Sequence, residues 1–490
     1  MNANHTYGRI FAALLGSAAM LSACAPVPQL GARPQVRAAG SIAAERSLGA
    51  ATDAATQWPG ADWWSAYADP QLSALIEEGL KGAPDLAAAI ARVRQADAYA
   101  QQAGAALLPR LNVDGTASEN KQSYNNGIPA EFVPKGWNDT GRVTANLGFD
   151  IDLWGRNRAA LAAATSDAEA ARLELAQTRL TLSTAIATAY ADLARLHADR
   201  DVLAATVDIR TRTQALVAQR VATGLGNRAD LKLADAAVPT ARAELAATDE
   251  SIALTRNRIA ALIGAGPDRG LAIARPGATV AARGIPAGAT TDLVGRRPDV
   301  AAALARVHAA ASRIKVARAD FYPALSLNAL FGVQSLGLSN LFDGGSTYGN
   351  AGPAISLPLF QGGAISGRYR GARATYDEAV ASYDKTVVGA YQDVADAVTS
   401  QTMLVARLAD AHKASSDTQE AYDLALQRYR GGLSTYLDVL TAEQNLLASR
   451  RTVATLDARA FTLDVALVRA LGGGFSRSSL SMTSKDKTRG

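Results

Sequence analysis

The chain has 490 residues, enough for one large or two ordinary hydrophobic cores. Hydrophobic residues make up 48% of it but aromatic residues only 6%, and much of the apolar content is alanine, which favours packed helices over a compact α/β enzyme. Lys and Arg number 50 against 45 Asp and Glu. Because this small excess is spread along the chain, nucleic acid is not expected as a partner.

The N-terminus predicts a lipoprotein signal peptide over residues 1–23. Arg9 precedes an apolar run over residues 10–21, which is too short to cross a membrane. The run ends in "LSAC", which resembles a bacterial lipobox, and Cys24 is the only cysteine of the chain. We therefore expect diacylglycerol and an N-palmitoyl chain on Cys24, with a lipidated segment over residues 24–69. The alternative is an ordinary signal peptide that contains a cysteine.

The rest of the chain is duplicated. Residues 83–115 match residues 297–329 at a distance of 214, and the later glycines Gly224 and Gly432 match at a distance of 208. Both repeats carry the same features in the same order, which predicts two copies of one structural unit. The expected boundaries are 70–264 and 291–472, with a linker rich in Gly, Pro and Ala over 265–290 and a flexible tail over 473–490.

Each repeat begins with a helix of about thirty residues, at about 70–105 and 295–320. Two segments of alternating apolar and polar residues follow in each repeat, which predicts strands. Tilted membrane-spanning strands and a half-buried hairpin of a soluble domain both fit this alternation. The predicted strands lie at about 107–118, 142–153, 322–334 and 351–360.

A long helix follows each pair of strands. Residues 156–223 contain neither Gly nor Pro, which allows roughly 100 Å of helix at about 1.5 Å per residue. Leucine and valine recur along it every seven residues, with Arg210 at one step, and this period predicts packing against partner helices. Each long helix ends at a glycine turn, at about 224–227 and 431–434, and returns as a second helix.

No pattern of catalytic residues is present. The four histidines are isolated, and HExxH, GxSxG, Walker A and GxGxxG motifs do not occur. We therefore expect no enzyme activity, no metal site and no cofactor other than the lipid.

These features together resemble one family, the TolC-like outer-membrane factors, in their lipoprotein branch of the NodT or OprM type. "WPGADWWSAYADPQLSALIEEGL" (58–80) and "DIDLWGRNR" (150–158) resemble segments of that family, and the resemblance covers about residues 58–472. It implies a mainly α fold with β, built as a homotrimer. Three chains, each with four strands, would close a 12-stranded β-barrel in the outer membrane, continuous with a long periplasmic α-helical barrel. The 265–290 linker would join an equatorial belt.

The resemblance also resolves the strand alternatives, because a sheet with open edges is untenable in lipid. The expected lipid-facing residues are Leu111, Val113, Val143, Leu147, Phe149, Leu325, Leu327, Phe331, Ile355 and Leu357. The expected lumen-facing residues are Asn112, Asp114, Asn146 and Asn328.

The function implied by the resemblance is the exit duct of a tripartite efflux pump, which passively exports small molecules such as drugs. The implied partners are two further copies, a periplasmic adaptor protein, an inner-membrane pump of the RND type and outer-membrane lipid. Two alternatives stay open: a trimeric coiled-coil lipoprotein scaffold, and the duct of a protein secretion system. A scaffold has no need of amphipathic strands before each long helix.

Two groups of site residues are carried over from the family. The first is a periplasmic gate, where the alternative is an outward-facing aspartate near a helix start; its residues are Tyr429, Asp438, Thr441 and Asp230, and many relatives have a second aspartate in place of Thr441. The second is an adaptor-docking surface at the two turns, where the alternative is a plain turn without a partner; its residues are Arg220, Gly224, Leu225, Arg428, Gly432 and Leu433.

Overall fold

The computed structural model describes residues 27–38, 41–48, 52–53, 56–278, 285–286 and 293–476. The predicted signal peptide, Cys24, most of the predicted linker beyond residue 278 and the tail beyond residue 476 lie outside the described residues.

The described residues form long helices and a small sheet. The longer helices are α1 (Pro70–Gly82), α2 (Pro84–Ala105), α3 (Arg156–Ala222), α4 (Arg228–Leu262), α5 (Pro298–Ala319), α6 (Ala364–Arg430) and α7 (Tyr436–Ala470). The strands of the sheet are β1 (Arg110–Asn120), β2 (Asn138–Ile151), β3 (Ala324–Leu336) and β4 (Thr347–Ser356). The short elements are helices Glu45–Leu48, Pro267–Leu271 and Leu293–Arg296, 3₁₀ turns Trp63–Tyr67, Ala130–Phe132 and Leu338–Asn340, and a parallel pair of two-residue strands, Thr52–Asp53 and Ile285–Pro286.

Element lengths repeat between the two halves of the chain. Helices α3 and α6 both have 67 residues, and the returning helices α4 and α7 both have 35. The predicted first helix differs from the structure, because it is two helices separated at Ala83. Pro84 explains the break: a residue before proline avoids the helical region, and Ala83 is extended at φ −67°, ψ 128°.

The chain divides into two compact units. The first contains residues 1–36, 93–170 and 304–382 and carries the antiparallel sheet, in the order β1-β2-β3-β4. Directly paired residues share a face of a sheet, and the register pairs Leu111 with Leu147, Phe149 with Leu327, and Leu325 with Ile355. The strand residues expected to face lipid therefore lie on one face; Leu357 lies just beyond β4.

The opposite face of the sheet is mostly polar. Asn112 pairs with Asn146, and Asp114 pairs with Thr144. Two leucines are exceptions on this face, Leu330 opposite Asn146 and Leu336 opposite Thr140. The apolar face carries polar residues near the loop ends of the strands, such as Glu119 opposite Asp139. The alternation predicted from the sequence thus separates the two faces along most of the sheet.

The second unit contains residues 37–92, 171–303 and 383–490. Its largest apolar cluster packs the 3₁₀ turn at Trp63 and α1 against α3, α4 and α7. Buried hydrogen bonds fix this packing: the Tyr67 hydroxyl donates to Asp464 (2.6 Å), and the Tyr190 hydroxyl donates to Asp69 (2.7 Å). Asp69 also caps α1 by accepting from the N–H groups of Gln71 and Leu72.

Across the described ranges, none of the helices combines the length and the apolar character that a membrane span requires.

Candidate functional site at the tips of the helical hairpins

The two turns that join α3 to α4 and α6 to α7 have one geometry. The Gly224 N–H donates to the Val221 carbonyl (3.1 Å), and the Leu225 N–H donates to the Arg220 carbonyl (2.8 Å). This pair of bonds is the Schellman motif, which needs a left-handed residue after the helix. Gly224 supplies it with φ +76°. The turn therefore satisfies the last carbonyls of α3 without help from another chain.

The second turn repeats this pattern at the matching positions. The Gly432 N–H donates to the Tyr429 carbonyl (3.0 Å), the Leu433 N–H donates to the Arg428 carbonyl (2.8 Å), and φ of Gly432 is +75°. A Cβ on Gly432 would meet only the end of the Arg220 side chain, at 3.9 Å, and one on Gly224 would meet nothing within 4 Å. Glycine is thus required by backbone conformation and not by space.

The aspartates predicted to form a gate are helix caps in the structure. Asn227 Oδ1 accepts from the Asp230 N–H (2.8 Å), and Asn227 Nδ2 donates to Asp230 Oδ2 (2.9 Å). Thr435 and Asp438 form a full capping box, in which the Thr435 N–H and hydroxyl both donate to Asp438 Oδ2 at 2.8 Å. Both aspartates are the third residue of their helix.

These caps hold the second aspartate in its charged form. The hydrogen bond from the Thr435 N–H, followed by that from the Thr435 hydroxyl, lowers the pKa of Asp438. Thr441 has a local partner as well, since its hydroxyl donates to the Leu437 carbonyl (2.9 Å). The structure does not bring Asp438 or Thr441 against another predicted gate residue.

Arg220 joins the two hairpins. Its Nη1 donates to the Tyr429 carbonyl (2.7 Å) and its Nη2 to the Leu225 carbonyl (3.3 Å), while the guanidinium carbon lies 4.6 Å from the centre of the Tyr429 ring. Tyr429 is buried, and burial raises its pKa, with the charge of Asp230 adding to the rise and that of Arg220 opposing it. The predicted residues brought together are therefore Arg220, Tyr429 and Asp230.

The remaining tip residues face solvent. Leu225 and Leu433 are 68% and 73% exposed, although their backbones are fixed by the turns. Arg428, the counterpart of Arg220, is also exposed, and its side chain makes no hydrogen bond or ion pair within the described part of the chain.

A buried ion pair that the sequence analysis did not identify lies deeper in the hairpins. Arg210 Nε donates to Glu443 Oε1 (3.0 Å), and Arg210 Nη1 donates to the Ala237 carbonyl (3.2 Å), so the pair connects α3, α4 and α7. The Glu443 side chain is 2% exposed. Burial raises its pKa, and Arg210 opposes that rise. A signal was present, because Arg210 occupies a step of an otherwise apolar seven-residue frame.

Buried tyrosines lie near this ion pair. Tyr422, Tyr429 and Tyr436 belong to one buried cluster and are spaced by seven residues, and Glu443 is the next step of the same series. Burial, then the charge of Glu443, raises the pKa of Tyr436 to about 12. The described residues contain no group of three or more His, Cys, Asp or Glu that could hold a metal ion.

Comparison with known proteins places the chain among outer-membrane proteins. A family model described as "Outer membrane efflux protein" matches residues 75–265 and 290–473. The multidrug resistance outer membrane protein MdtP of Escherichia coli K12 is 32% identical over 476 residues, which cover 95% of this chain and 96% of MdtP. The pyoverdine export outer membrane protein OpmQ of Pseudomonas aeruginosa is 29% identical and covers 86% of this chain and 90% of OpmQ.

A solved structure has the same fold. The crystal structure of the outer membrane protein VceC from Vibrio cholerae superposes with a TM-score of 0.81 at 44% identity, and the match covers 86% of this chain and 100% of VceC.

Proposed function

The chain belongs to the outer membrane efflux protein family, and on this premise we propose that three copies form a gated exit duct for an efflux pump. The family and the fold class predicted from the sequence are confirmed, and so is the function of an outer-membrane efflux channel. The proposal concerns the cargo of the duct, the way it closes and the proteins it contacts.

The observation that carries the proposal is the sheet. It has one apolar face, one polar face and two unpaired edges, at β1 and β4. A spanning sheet must close so that no backbone group is left unpaired in lipid, and four strands are too few to enclose a channel. Three copies would supply twelve strands for a barrel in the outer membrane, and their helical hairpins would form the tunnel through the periplasm.

The cargo is proposed to be small organic molecules. MdtP is named for multidrug resistance and OpmQ for pyoverdine export, and export of compounds of this size suits a passive duct. The partners would be a periplasmic adaptor and an inner-membrane pump of the RND type, because the duct itself has no source of energy.

The periplasmic gate is proposed at the ring of tips, from Tyr429, Asp230, Asp438 and Thr441. In support, Tyr429 of the second hairpin is contacted by Arg220 of the first, which donates to its carbonyl and lies over its ring, so movement of one hairpin against the other must break that contact. Asp438 would act through its cap: a change at the second turn that releases Thr435 also frees the carboxylate.

Adaptor docking is proposed at the exposed leucines of the two turns, Leu225 and Leu433, with Gly224, Gly432, Arg220 and Arg428 shaping or flanking the surface. In support, both turns complete their own backbone hydrogen bonds and still expose an apolar side chain. An adaptor's helical hairpin would bury these leucines.

The lipid anchor is proposed at Cys24. In support, Val27 packs against a cluster at the sheet-proximal ends of α5 and α6, formed by residues such as Phe321 and Tyr369. Three residues span at most about 11 Å, so Cys24 would lie close to the strands proposed to enter the membrane.

One experiment tests the function. The full chain is produced in a host that lacks its own exit duct, together with its pump and adaptor, and drug resistance and conductance in planar bilayers are measured. We expect resistance and stable trimeric channels. A trimer that restores no resistance and conducts no ions would make the protein a scaffold and overturn the proposal.

A matched pair of variants tests the membrane assignment. Leu147→Arg places a charge on the apolar face of β2, and Asn146→Arg places it on the polar face, one residue away. We expect the first to cost about 2–4 kcal/mol of barrel stability and the second to assemble normally. Equal trimer yields would contradict membrane-spanning strands.

A further inference from the structure

We propose that β4 of one copy pairs with β1 of the next copy in one defined antiparallel register, in which Ala354 lies opposite the partner's Thr116. The inference rests on the proposed trimer and adds to it the residue-level interface between copies.

Two loop hydrogen bonds establish which residues of the open edges can form bonds. The Gly337 N–H donates to the Asp139 carbonyl (2.7 Å), and the Gln334 N–H donates to the Ser346 carbonyl (2.8 Å). Hydrogen-bonded and non-bonded pairs alternate along an antiparallel ladder. Odd-numbered residues of β2 therefore bond to β3, and even-numbered residues of β4 bond to β3. The backbone N–H and C=O groups of the odd-numbered residues of β1 and β4 are therefore unpaired and point to the open edges of the sheet.

The two hairpins have the same internal register. In the first, Leu111 pairs with Leu147; in the second, Leu325 pairs with Ile355. The segments that begin the two repeats are 214 residues apart, which makes Leu325 the counterpart of Leu111. The later glycines of the two repeats are 208 residues apart, which makes Ile355 the counterpart of Leu147. The second hairpin therefore repeats the pairing of the first hairpin and lies beside it in the sheet.

The pairing of β2 with β3 gives the register between neighbouring hairpins. Ala145 of β2 pairs with Phe331 of β3. By the same two offsets, the counterpart of Ala145 in the second repeat is Pro353 of β4, and the counterpart of Phe331 in the first repeat is Ala117 of β1. If copies join as the hairpins of one chain do, Pro353 lies opposite the partner's Ala117.

This register makes chemical sense along the whole contact. It gives seven pairs within the two strands, from Asn350 opposite the partner's Asn120 to Ser356 opposite the partner's Asp114. Residues with unpaired backbone groups on β4 lie opposite residues with unpaired backbone groups on the partner's β1. The polar faces of the two sheets lie on the same side. A shift of one residue would oppose bonding to non-bonding positions and reverse the faces.

Pro353 has an expected place in this contact. It has no N–H, and its position is one of those that point to the open edge, where proline is tolerated in strands. The Ala117 N–H of the partner would donate to the Pro353 carbonyl, and one bond of the ladder would be missing at this point.

A disulfide can report this register without ambiguity. Within one chain β1 and β4 are separated by two strands, or about 14 Å at the usual strand spacing, beyond the reach of a disulfide, whose Cα atoms lie within about 7 Å. Thr116 and Ala354 form a non-bonded pair in the proposed register, where Cβ atoms come within about 4.5–5.5 Å. A bond between cysteines at these positions must therefore join two copies.

The experiment compares three double variants of the full chain in membranes, all of which retain Cys24. Thr116→Cys with Ala354→Cys tests the register. Ser118→Cys with Ala354→Cys and Thr116→Cys with Gly352→Cys are the controls, each shifted by two residues on the same face. We expect covalent trimers on a non-reducing gel for the first variant, lost on reduction, and only traces for the controls.

The other outcomes are distinct. Strongest cross-linking in a shifted pair would overturn the register. Conducting native trimers without cross-links in any variant would overturn edge pairing and leave the proposed function standing. A parent chain that forms no trimer and restores no efflux would remove the proposed function and this inference together.

Discussion

The two hairpin tips share a turn and a pattern of caps but differ in the surroundings of their arginines. Arg220 lies against Tyr429 and donates to carbonyls of both turns. Arg428, at the matching position, is exposed. The residue that matches Tyr429 in the first repeat is Val221, which offers no ring. Backbone geometry is thus kept by the duplication, whereas the contacts between hairpins depend on side chains that have diverged.

The same difference recurs deeper in the hairpins. Glu443 is buried against Arg210, whereas its counterpart Asp235 is partly exposed and bonds to Gln214 (2.9 Å) and Lys232 (3.1 Å). One repeat therefore contributes a buried charge and the other a solvated one. We expect this asymmetry to govern stability and gating.

The largest expected effect is at the buried pair. Glu443→Ala leaves the Arg210 guanidinium buried without its partner, which should cost about 3–5 kcal/mol in trimer unfolding by denaturant. Asp235→Ala, the matched control, should cost much less because its carboxylate is solvated. The double variant Arg210→Met, Glu443→Leu should recover most of the loss. Similar losses for Glu443→Ala and Asp235→Ala would contradict the asymmetry.

The next effect is at the tip arginines. Arg220→Ala removes charged hydrogen bonds to the carbonyls of Tyr429, Arg430 and Leu225 and the ring contact. It should cost about 1–3 kcal/mol and raise conductance in planar bilayers. Arg428→Ala should cost less than about 0.5 kcal/mol and leave conductance unchanged. If Arg428→Ala opened the channel equally, the next copy would have to supply acceptors to Arg428, and the comparison drawn within one chain would be wrong.

The sequence predicted the features that depend on local chemistry. The alternation of apolar and polar residues in "LNVDG" and in the matching segment "LSLNA" of the second repeat predicted the strands and their faces. The glycines predicted the turns. The pairing of Arg210 with Glu443 could not be predicted, because the two residues are far apart in the chain and a heptad frame does not identify the facing helix. The role of Asp438 depended on Thr435 three residues earlier, a capping signal available from sequence. The break at Ala83 was likewise signalled by Pro84.

A smaller effect is expected at the turn itself. Gly432→Ala places a Cβ on a residue at φ +75°, which costs about 1–2 kcal/mol and should distort the docking surface. Gly431→Ala is the matched control, since the Cβ there would make only ordinary contacts from 3.6 Å outward. We expect pump-dependent resistance to fall for Gly432→Ala alone, with normal trimer yield in both. A reduced trimer yield for Gly432→Ala would instead assign the glycine to folding.

The smallest effect concerns the caps and separates a cap from a gate. The pKa of Asp438 is lowered in the folded chain, so its contribution is present above the pKa of an unfolded aspartate, about 3.9, and is lost as pH falls through the lower folded value. Asp438→Ala should therefore slightly reduce the melting temperature of the trimer at pH 7, and the difference from the parent should shrink in acid. Asp230→Ala should cause a loss of similar size, because its carboxylate also completes a cap. Conductance distinguishes the two roles: a cap alone changes melting only, whereas the proposed gate requires that Tyr429→Leu, which removes the ring under Arg220, raise conductance together with Asp438→Ala while the trimer stays intact. Unchanged conductance in that double variant would leave Asp438 as a cap and refute its part in the gate.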